Sequence, residues 1–229
     1  MNSNNKTVIL SSNSHKDYIS YLPFVQKAWN LIGWNTLTFY LGDMEIESSD
    51  KNRIIKINSI EGYRDETVVQ VSRLFGAKYL DGMIMTSDVD MMPLSDYWHP
   101  EQDRWTAYGA DLTGYKHFPI CYICANKKLW NEVITENSIE EILLKEKNSK
   151  SNDFNEWWYT DQEIITKRLF SQDVKSIDRG TNLGLAKGRI DRASWETTKL
   201  QEHQKVDAHM PRPFDKNEAE YLLNNILSV

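Results

Sequence analysis

The chain has 229 residues, 40% of them hydrophobic and 11% aromatic, enough apolar material to bury a sizeable core and to exclude disorder as the default. Its formal charge of −6 argues against nucleic acid as the main partner, because phosphate contacts need a basic surface. No apolar run is long enough to span a bilayer, and the polar start Met1–Lys6 lacks the apolar core of a secretion signal, so a soluble cytoplasmic protein without a transmembrane segment is expected.

Thr7–Leu10 is a short, largely β-branched run that opens into the polar turn Ser11-Ser12-Asn13-Ser14. Ser14 or Asp17 can cap a helix running from about His15 to Leu31, with Tyr18, Leu22, Val25 and Trp29 at helical spacing. Gly33 closes it, and Thr36–Leu41 follows as a second strand. Arg53–Ile57 reads as a third strand and Glu66–Phe75 as a second helix, with Val69, Leu74 and Phe75 inward and Gly76 at its end. Strand, helix, strand, strand, helix, strand is the order of a nucleotide-binding α/β half. Ser11, Ser12 and Asn13 then lie at the carboxyl end of the first strand, where either a nucleoside docks or an ordinary turn sits.

The run Met83-Ile84-Met85-Thr86-Ser87-Asp88-Val89-Asp90-Met91-Met92-Pro93 organises the rest. Met83–Met85 are continuously apolar, as in a strand buried on both faces, and Pro93 is expected to stop any regular continuation. Asp88 and Asp90 fall where the strand ends, at the edge where open α/β sheets bind ligands. A D-x-D triplet also arises from turn and N-cap propensity. Two carboxylates this close are nevertheless easiest to explain by a divalent cation, Mn2+ or Mg2+, lying between them and a phosphate.

Beyond it, Trp105–Ala110 and Phe118–Ala125 read as strands, and Lys127–Val133 begins a helix that resumes through Ile139–Leu144. The only cysteines, Cys121 and Cys124, have C-x-x-C spacing but sit in the second of these strands, where residues three apart face opposite sides. They read as two core thiols in a reducing compartment rather than a zinc or redox pair. Lys145–Asn155 is polar and reads as an exposed loop. Thr160 is placed to cap a helix with Glu163 closing a capping box, and Ile164, Ile165, Leu169 and Phe170 supply the buried face. Asp161 then stands in the first turn, where the dipole favours a carboxylate, beside the aromatic cluster Trp157-Trp158-Tyr159. Asp207–Pro213 is too proline-rich for a helix or central strand, and its His209 and Arg212 offer one metal ligand and one phosphate contact, or else a solvated loop. Asp215 can cap a final helix with an Ala219, Leu222, Leu223, Ile226 stripe.

Taken together, these features resemble the GT-A glycosyltransferases, over essentially the whole chain. The finer likeness is to the small chlorella-virus members, carried by Tyr21-Leu22-Pro23-Phe24, Thr86-Ser87-Asp88-Val89-Asp90-Met91, Phe118-Pro119-Ile120-Cys121-Tyr122-Ile123 and Tyr159-Thr160-Asp161-Gln162. The resemblance implies an α/β, Rossmann-like single domain with a mostly parallel central sheet flanked by helices, residues 1–94 binding nucleotide and residues 95–229 binding acceptor. It implies that Asp90 holds the metal, that Asp88 contacts the ribose or shares the ion, and that His209 completes the site. The Gly and Lys usual around such a His are replaced by Pro211-Arg212-Pro213, with Arg212 as phosphate partner. Ser11, Ser12 and Asn13 would line the base and ribose, and Arg73 would approach the sugar or diphosphate. Asp161 matches the general base of inverting members.

The reaction expected is transfer of a sugar from a nucleoside diphosphate sugar, by default a UDP-sugar, to a hydroxyl of a glycan or other acceptor, with Mn2+ or Mg2+ as cofactor. A retaining enzyme would not need that base, and the Lys145–Asn155 loop is a candidate lid. One competitor is a D-x-D phosphatase, although its motif normally lies near the chain start. Another is a carbohydrate-binding module or inactive transferase using Trp157, Trp158 and Tyr159 for stacking.

Overall fold

The computed structural model describes residues 5–110, 117–147, 157–177, 188–197 and 205–226. Within them the first strand β1 (Lys6–Asn13) lies between β2 (Asn35–Leu41) and β4 (Met83–Thr86), parallel to both. The sheet continues outward to β3 (Asn52–Lys56) on one side, and through β7 (Ile123–Asn126) and β6 (Trp105–Tyr108) to β8 (Val174–Ile177) on the other. Its order is β3-β2-β1-β4-β7-β6-β8, and only β7 runs against its neighbours, so the expected mostly parallel α/β sheet is present. The chain leaves β1 toward β2 but later returns on β1's other side as β4. That reversal is a topological switch point, and a crevice opens there outside the carboxyl ends of the strands.

Alternation along the central strands feeds two cores. Val8, Leu10, Met83 and Met85 face one layer, and Ile9 and Ile84 face the other. The first layer contains α2 (Leu22–Leu31) and α7 (Lys216–Asn225), the latter capped by Asp215 as expected. The second contains α3 (Asp65–Ser72), α4 (Lys127–Val133), α5 (Ile139–Lys147) and α6 (Thr160–Leu169). Burial of the continuous apolar runs on both faces is what forces this three-layer arrangement.

Several local expectations are corrected. The first helix is broken into α1 (Lys16–Ile19) and α2, because Pro23 cannot donate the backbone bond a continuous helix needs and instead sits in the first turn of α2. His15, not Ser14 or Asp17, caps α1. Gly33 does close α2, with φ +83°. Gly76 is not a cap: it lies inside a 3-10 turn (Arg73–Lys78), where a Cβ would run into the Ile9 side chain.

Pro93 does not end regular structure but closes β5 (Met91–Pro93), the edge of a second, three-stranded sheet. The central strand of that sheet is β10 (Asp207–His209), in the segment judged too proline-rich to be one, flanked by β9 (Arg189–Ile190). Its prolines, Pro211 and Pro213, fall just beyond the paired residues. Of Phe118–Ala125, only Ile123 onward is strand, so Cys124 is buried while Cys121 is partly exposed on the turn before it. Lys145–Lys147 belong to α5, and the rest of the expected loop, residues 148–155, lies outside the described residues.

The capping box does not form, since Thr160 is the first residue of α6 and its hydroxyl donates to the Trp157 carbonyl. Phe170, expected inside, is 89% exposed because α6 ends before it. No helix among the described residues is long and apolar enough to cross a membrane.

Candidate functional site

β4 ends at Thr86, and the chain turns sharply, with the Met91 N–H donating to the Asp88 carbonyl. This turn carries D-x-D out of the main sheet and into β5. It aims the side chains into a crevice of about 330 Å³ at the switch point. Ser11, Ser12 and Asn13 at the end of β1 form one wall, and Glu66, Val69, Gln70 and Arg73 another. Trp158, Tyr159, Asp161 and Gln162, at the start of α6, face Arg192, His209 and Arg212 from the small-sheet side. Every site residue expected from the sequence therefore lines one cavity, although the residues come from segments as far apart as Ser11 and Arg212.

Asn13 also has a local task, its side-chain carbonyl accepting from the His15 N–H at 3.0 Å, and the Ser12 hydroxyl donates to the Asn13 carbonyl at 2.9 Å. The polar segment expected to be a turn is thus the end of β1, and its residues form the cavity wall.

Arg73 is 4% exposed and donates to the Ser87 carbonyl at 3.2 Å, to the Asp88 carboxylate and to the Asp161 carboxylate. It thus bridges the D-x-D turn and α6 rather than presenting an open fork to the cavity. The Asp161 Oδ1 accepts the Gln162 backbone N–H at 2.8 Å. Burial pushes the Asp161 carboxyl above the usual range, with Arg73 working the other way. Burial also opposes ionisation of Asp88, but Arg73 beside it outweighs that and holds Asp88 below the usual range. The two carboxylates flank one cation and are pushed apart in basicity, as at sites where acid and base roles are divided.

Asp90 is held differently. Its Oδ2 accepts Arg212 Nη2 at 2.7 Å, lies 3.2 Å from Arg192 Nη2, and is 3.7 Å from His209 Nε2. Arg192 Nε also donates to His209 Nδ1 at 3.2 Å. Burial, more than any neighbouring charge, lowers the His209 pKa, which leaves a neutral imidazole at neutral pH. The Arg212 guanidinium lies 4.2 Å from the Tyr18 ring centre, a cation–π contact that fixes it over the cavity. The segment carrying it is pinned because the Tyr21 hydroxyl donates to the Pro211 carbonyl at 2.6 Å and accepts the Asp215 N–H at 3.1 Å.

Sequence reasoning did not single out Arg192, Tyr18, Gln70 or Gln162 as lining this site. Arg192 pairs with residues about 20 and 100 positions away, and no local spacing announces such contacts.

The donor types suit a divalent ion: two carboxylates and an imidazole. Their arrangement does not, because Arg73 occupies Asp88 and two arginines occupy Asp90. Among the described residues no three His, Cys, Asp or Glu side chains converge into a metal site.

No protein-family model matches this sequence, and no curated protein is significantly similar to it. Solved structures are. The galactosyltransferase LgtC, solved with donor and acceptor sugar analogs, matches with a TM-score of 0.56 at 13% identity over 97% of each chain. An active-site glutamine variant of LgtC matches with a TM-score of 0.53 at 10% identity, again over 97% of each chain. The glycosyltransferase GlyE of Streptococcus pneumoniae TIGR4 matches with a TM-score of 0.56 at 14% identity, over 97% of this chain and 60% of that one. This chain therefore spans well under two thirds of GlyE but nearly all of LgtC. Sheet, layers and neighbours agree that it has the fold of the GT-A glycosyltransferases.

Proposed function

We propose that this protein transfers a sugar from a nucleoside diphosphate sugar, with UDP-sugars as the first candidates, to a hydroxyl of a glycan or similar acceptor. The observation that carries this reading is the crevice itself. Asp88 and Asp90 open onto the switch point of a GT-A sheet, opposite Arg192, Arg212 and His209. Ser11–Asn13 offer polar groups for base and ribose, while the arginines suit a diphosphate. In the reaction, Arg212 and Arg192 stabilise charge gathering on the leaving diphosphate within a partly dehydrated cavity. Trp158 and Tyr159 offer apolar ring surface to a pyranose face on the acceptor side. Asp88, Asp90 and His209 are the residues that would hold Mn2+ or Mg2+, whose charge would offset that of the diphosphate, although with arginines on both carboxylates they do not form that site as placed.

Asp161 is the proposed base, taking the acceptor proton in an inverting displacement; burial increases its proton affinity, which suits that task. Retention is the second reading. It is favoured by the engagement of Asp161 with Arg73, which occupies the carboxylate that a base would need free. The anomeric configuration of the product, read by NMR, decides between them.

The test is thermal unfolding with UDP, GDP and their sugars, each with Mn2+ and with EDTA, followed by product analysis with glycan acceptors. A ligand at about one hundred times its Kd adds about 2.7 kcal/mol to a site bound only in the folded state, or about 5–10 °C for a chain of this size. One diphosphate is expected to give such a shift, and Asp90→Ala to abolish it. Stabilisation by free glycans alone, with none by any diphosphate, would overturn the transferase in favour of a carbohydrate-binding module.

A further inference from the structure

Both carboxylates of the D-x-D turn are engaged by guanidiniums. Arg73, itself buried, donates from one terminal nitrogen to Asp88 and from the other to Asp161. A divalent ion on Asp88 would set its charge against Arg73, or leave that buried arginine one partner short. At Asp90 the contacts converge on one oxygen. Oδ2 accepts Arg212 Nη2 at 2.7 Å and lies 3.2 Å from Arg192 Nη2 and 3.7 Å from His209 Nε2. The imidazole offers no lone pair there. A guanidinium cannot accept a hydrogen bond, so the 3.2 Å contact from Arg192 Nε makes His209 Nδ1 the acceptor. The ring hydrogen then sits on Nε2, facing Asp90. Asp191, farther from Nδ1 at 3.4 Å, stands outside the cavity wall.

The same groups suit an anion. On the small-sheet side of the cavity two guanidiniums meet one carboxylate, so positive charge is in surplus, while Glu66 is exposed on α3 in another wall. Arg212 spends one nitrogen on Asp90, is about one third exposed and lies over the Tyr18 ring, which leaves the rest of its fork for a ligand. Arg192 keeps a buried Nη1 with no hydrogen-bond partner among the described residues, an unmet donor that a phosphate oxygen would satisfy.

Resting on the donor reading above, we propose that Asp88 and Asp90 serve as anchors for arginines rather than as ligands of a metal, and that Arg192 and Arg212 hold the diphosphate without a divalent cation. Asp90 is then a positioning residue. Its carboxylate, 3% exposed, sets the two guanidiniums side by side in the cavity wall, so less side-chain freedom is lost when the diphosphate arrives. The arginines keep their carboxylate and add phosphate oxygens through their remaining donors. Their surplus charge offsets part of the diphosphate charge that a metal ion would otherwise balance.

The experiment is calorimetric titration of UDP, GDP and dTDP, in EDTA and again with Mn2+. One of them is expected to bind the wild-type protein in EDTA, with Mn2+ changing its Kd by less than about threefold. Arg212→Gln and Arg192→Gln, each removing charge-assisted hydrogen bonds to phosphate, should weaken binding in EDTA about tenfold or more. Arg192→Gln leaves the Arg212–Tyr18 contact in place should the other variant fold poorly, and the wild-type comparison needs no variant. Asp90→Asn keeps an oxygen for Arg212 while removing the charge a cation needs. It should therefore retain binding in EDTA to within about threefold, where Asp90→Ala loses it. The arginine anchors are overturned if the diphosphate binds with Mn2+ but not in EDTA, or if both arginine variants bind it in EDTA as the wild type does. They are overturned as well if Asp90→Asn binds no better than Asp90→Ala. If no nucleoside diphosphate binds in either condition, the donor reading falls and the anchors with it.

Discussion

Arg73 shows how much one side chain decides here. Its buried guanidinium joins the motif turn to α6 through Asp88, which is partly exposed, and Asp161, which is buried. Removing one member of such a cluster leaves uncompensated charge, which typically costs about 3–5 kcal/mol. Arg73→Met is therefore expected to lower unfolding stability in urea by that amount at pH 7, and adding Asp161→Asn should recover part of the loss. The deficit should shrink as pH falls, because a protonated carboxyl needs no counter-ion. Tyr122 is a second decisive residue. Its φ of +76° is unusual for an aromatic residue and is held by its ring, 4.1 Å from that of Trp98, and by its hydroxyl, which donates to Asp207 at 2.9 Å. Of the residues that make the site, Asp88 and Asp90 were legible because their spacing follows an apolar strand. Arg73 was legible as a candidate but not in its role, which depends on two carboxylates distant in sequence. Arg192 was not legible at all.

At the scale of elements, local chemistry predicted existence better than continuity. Alternation and β-branching located β2, β3 and β4 to within a residue or so, but β1 runs three residues past Leu10, through the Ser11–Asn13 segment expected to be a turn, because those residues pair with β2. Pro23 within the first helical pattern divided it, and the backbone donor missing from proline is the reason. β5 and β10 were missed because three-residue strands carry too little periodicity to read, and they exist through pairing, β5 with β10 and β10 with β9 as well. The connection between α4 and α5 supplies a further test. Glu136, there, is buried and takes a two-pronged contact from Arg168 of α6, at 2.8 and 2.9 Å, plus Lys145 of α5 at 2.7 Å. Burial alone would raise its pKa, but Arg168 and then Lys145 bring it down to about 2, from an ordinary 4.5. A carboxyl depressed in the folded state stabilises it above its unfolded value and loses that contribution as pH falls through about 2. The contribution at neutral pH is on the order of 3 kcal/mol. Glu136→Gln should thus be less stable than wild type by about 2–3 kcal/mol at pH 7. Urea titrations from pH 7 down to about 2 should show that difference fading between pH 4.5 and 2.

The whole molecule works by docking a small sheet against a large one. Asp207 of β10 is fully buried and joins Arg189 of β9, at 3.0 Å, to Tyr122 at the entrance of β7. This contact ties the strand that ends in His209 to the main sheet, so it sets where His209 and the Arg212 segment meet Asp90. Asp207→Ala is expected to cost about 3–5 kcal/mol, because Arg189 is left buried and unpaired. Calorimetric unfolding checks the stability, and calorimetric titration of a diphosphate with Mn2+ should show binding weakened even though residue 207 is not in the cavity wall.

By itself the sequence determined the α/β class, the order of the first strands and helices, the continuously apolar central strand and the placing of two carboxylates at its end. These depend on neighbours a few residues apart, and local sterics and periodicity are sufficient to read them. Only the tertiary structure decided that β4 returns beside β1 and opens the crevice, that a second sheet brings His209 and Arg212 to Asp90, and that arginines rather than open space face both carboxylates. Those outcomes rest on contacts between segments far apart in the chain. Burial, charge pairing and chain topology must be satisfied together there, and no local pattern encodes which partner each side chain will meet.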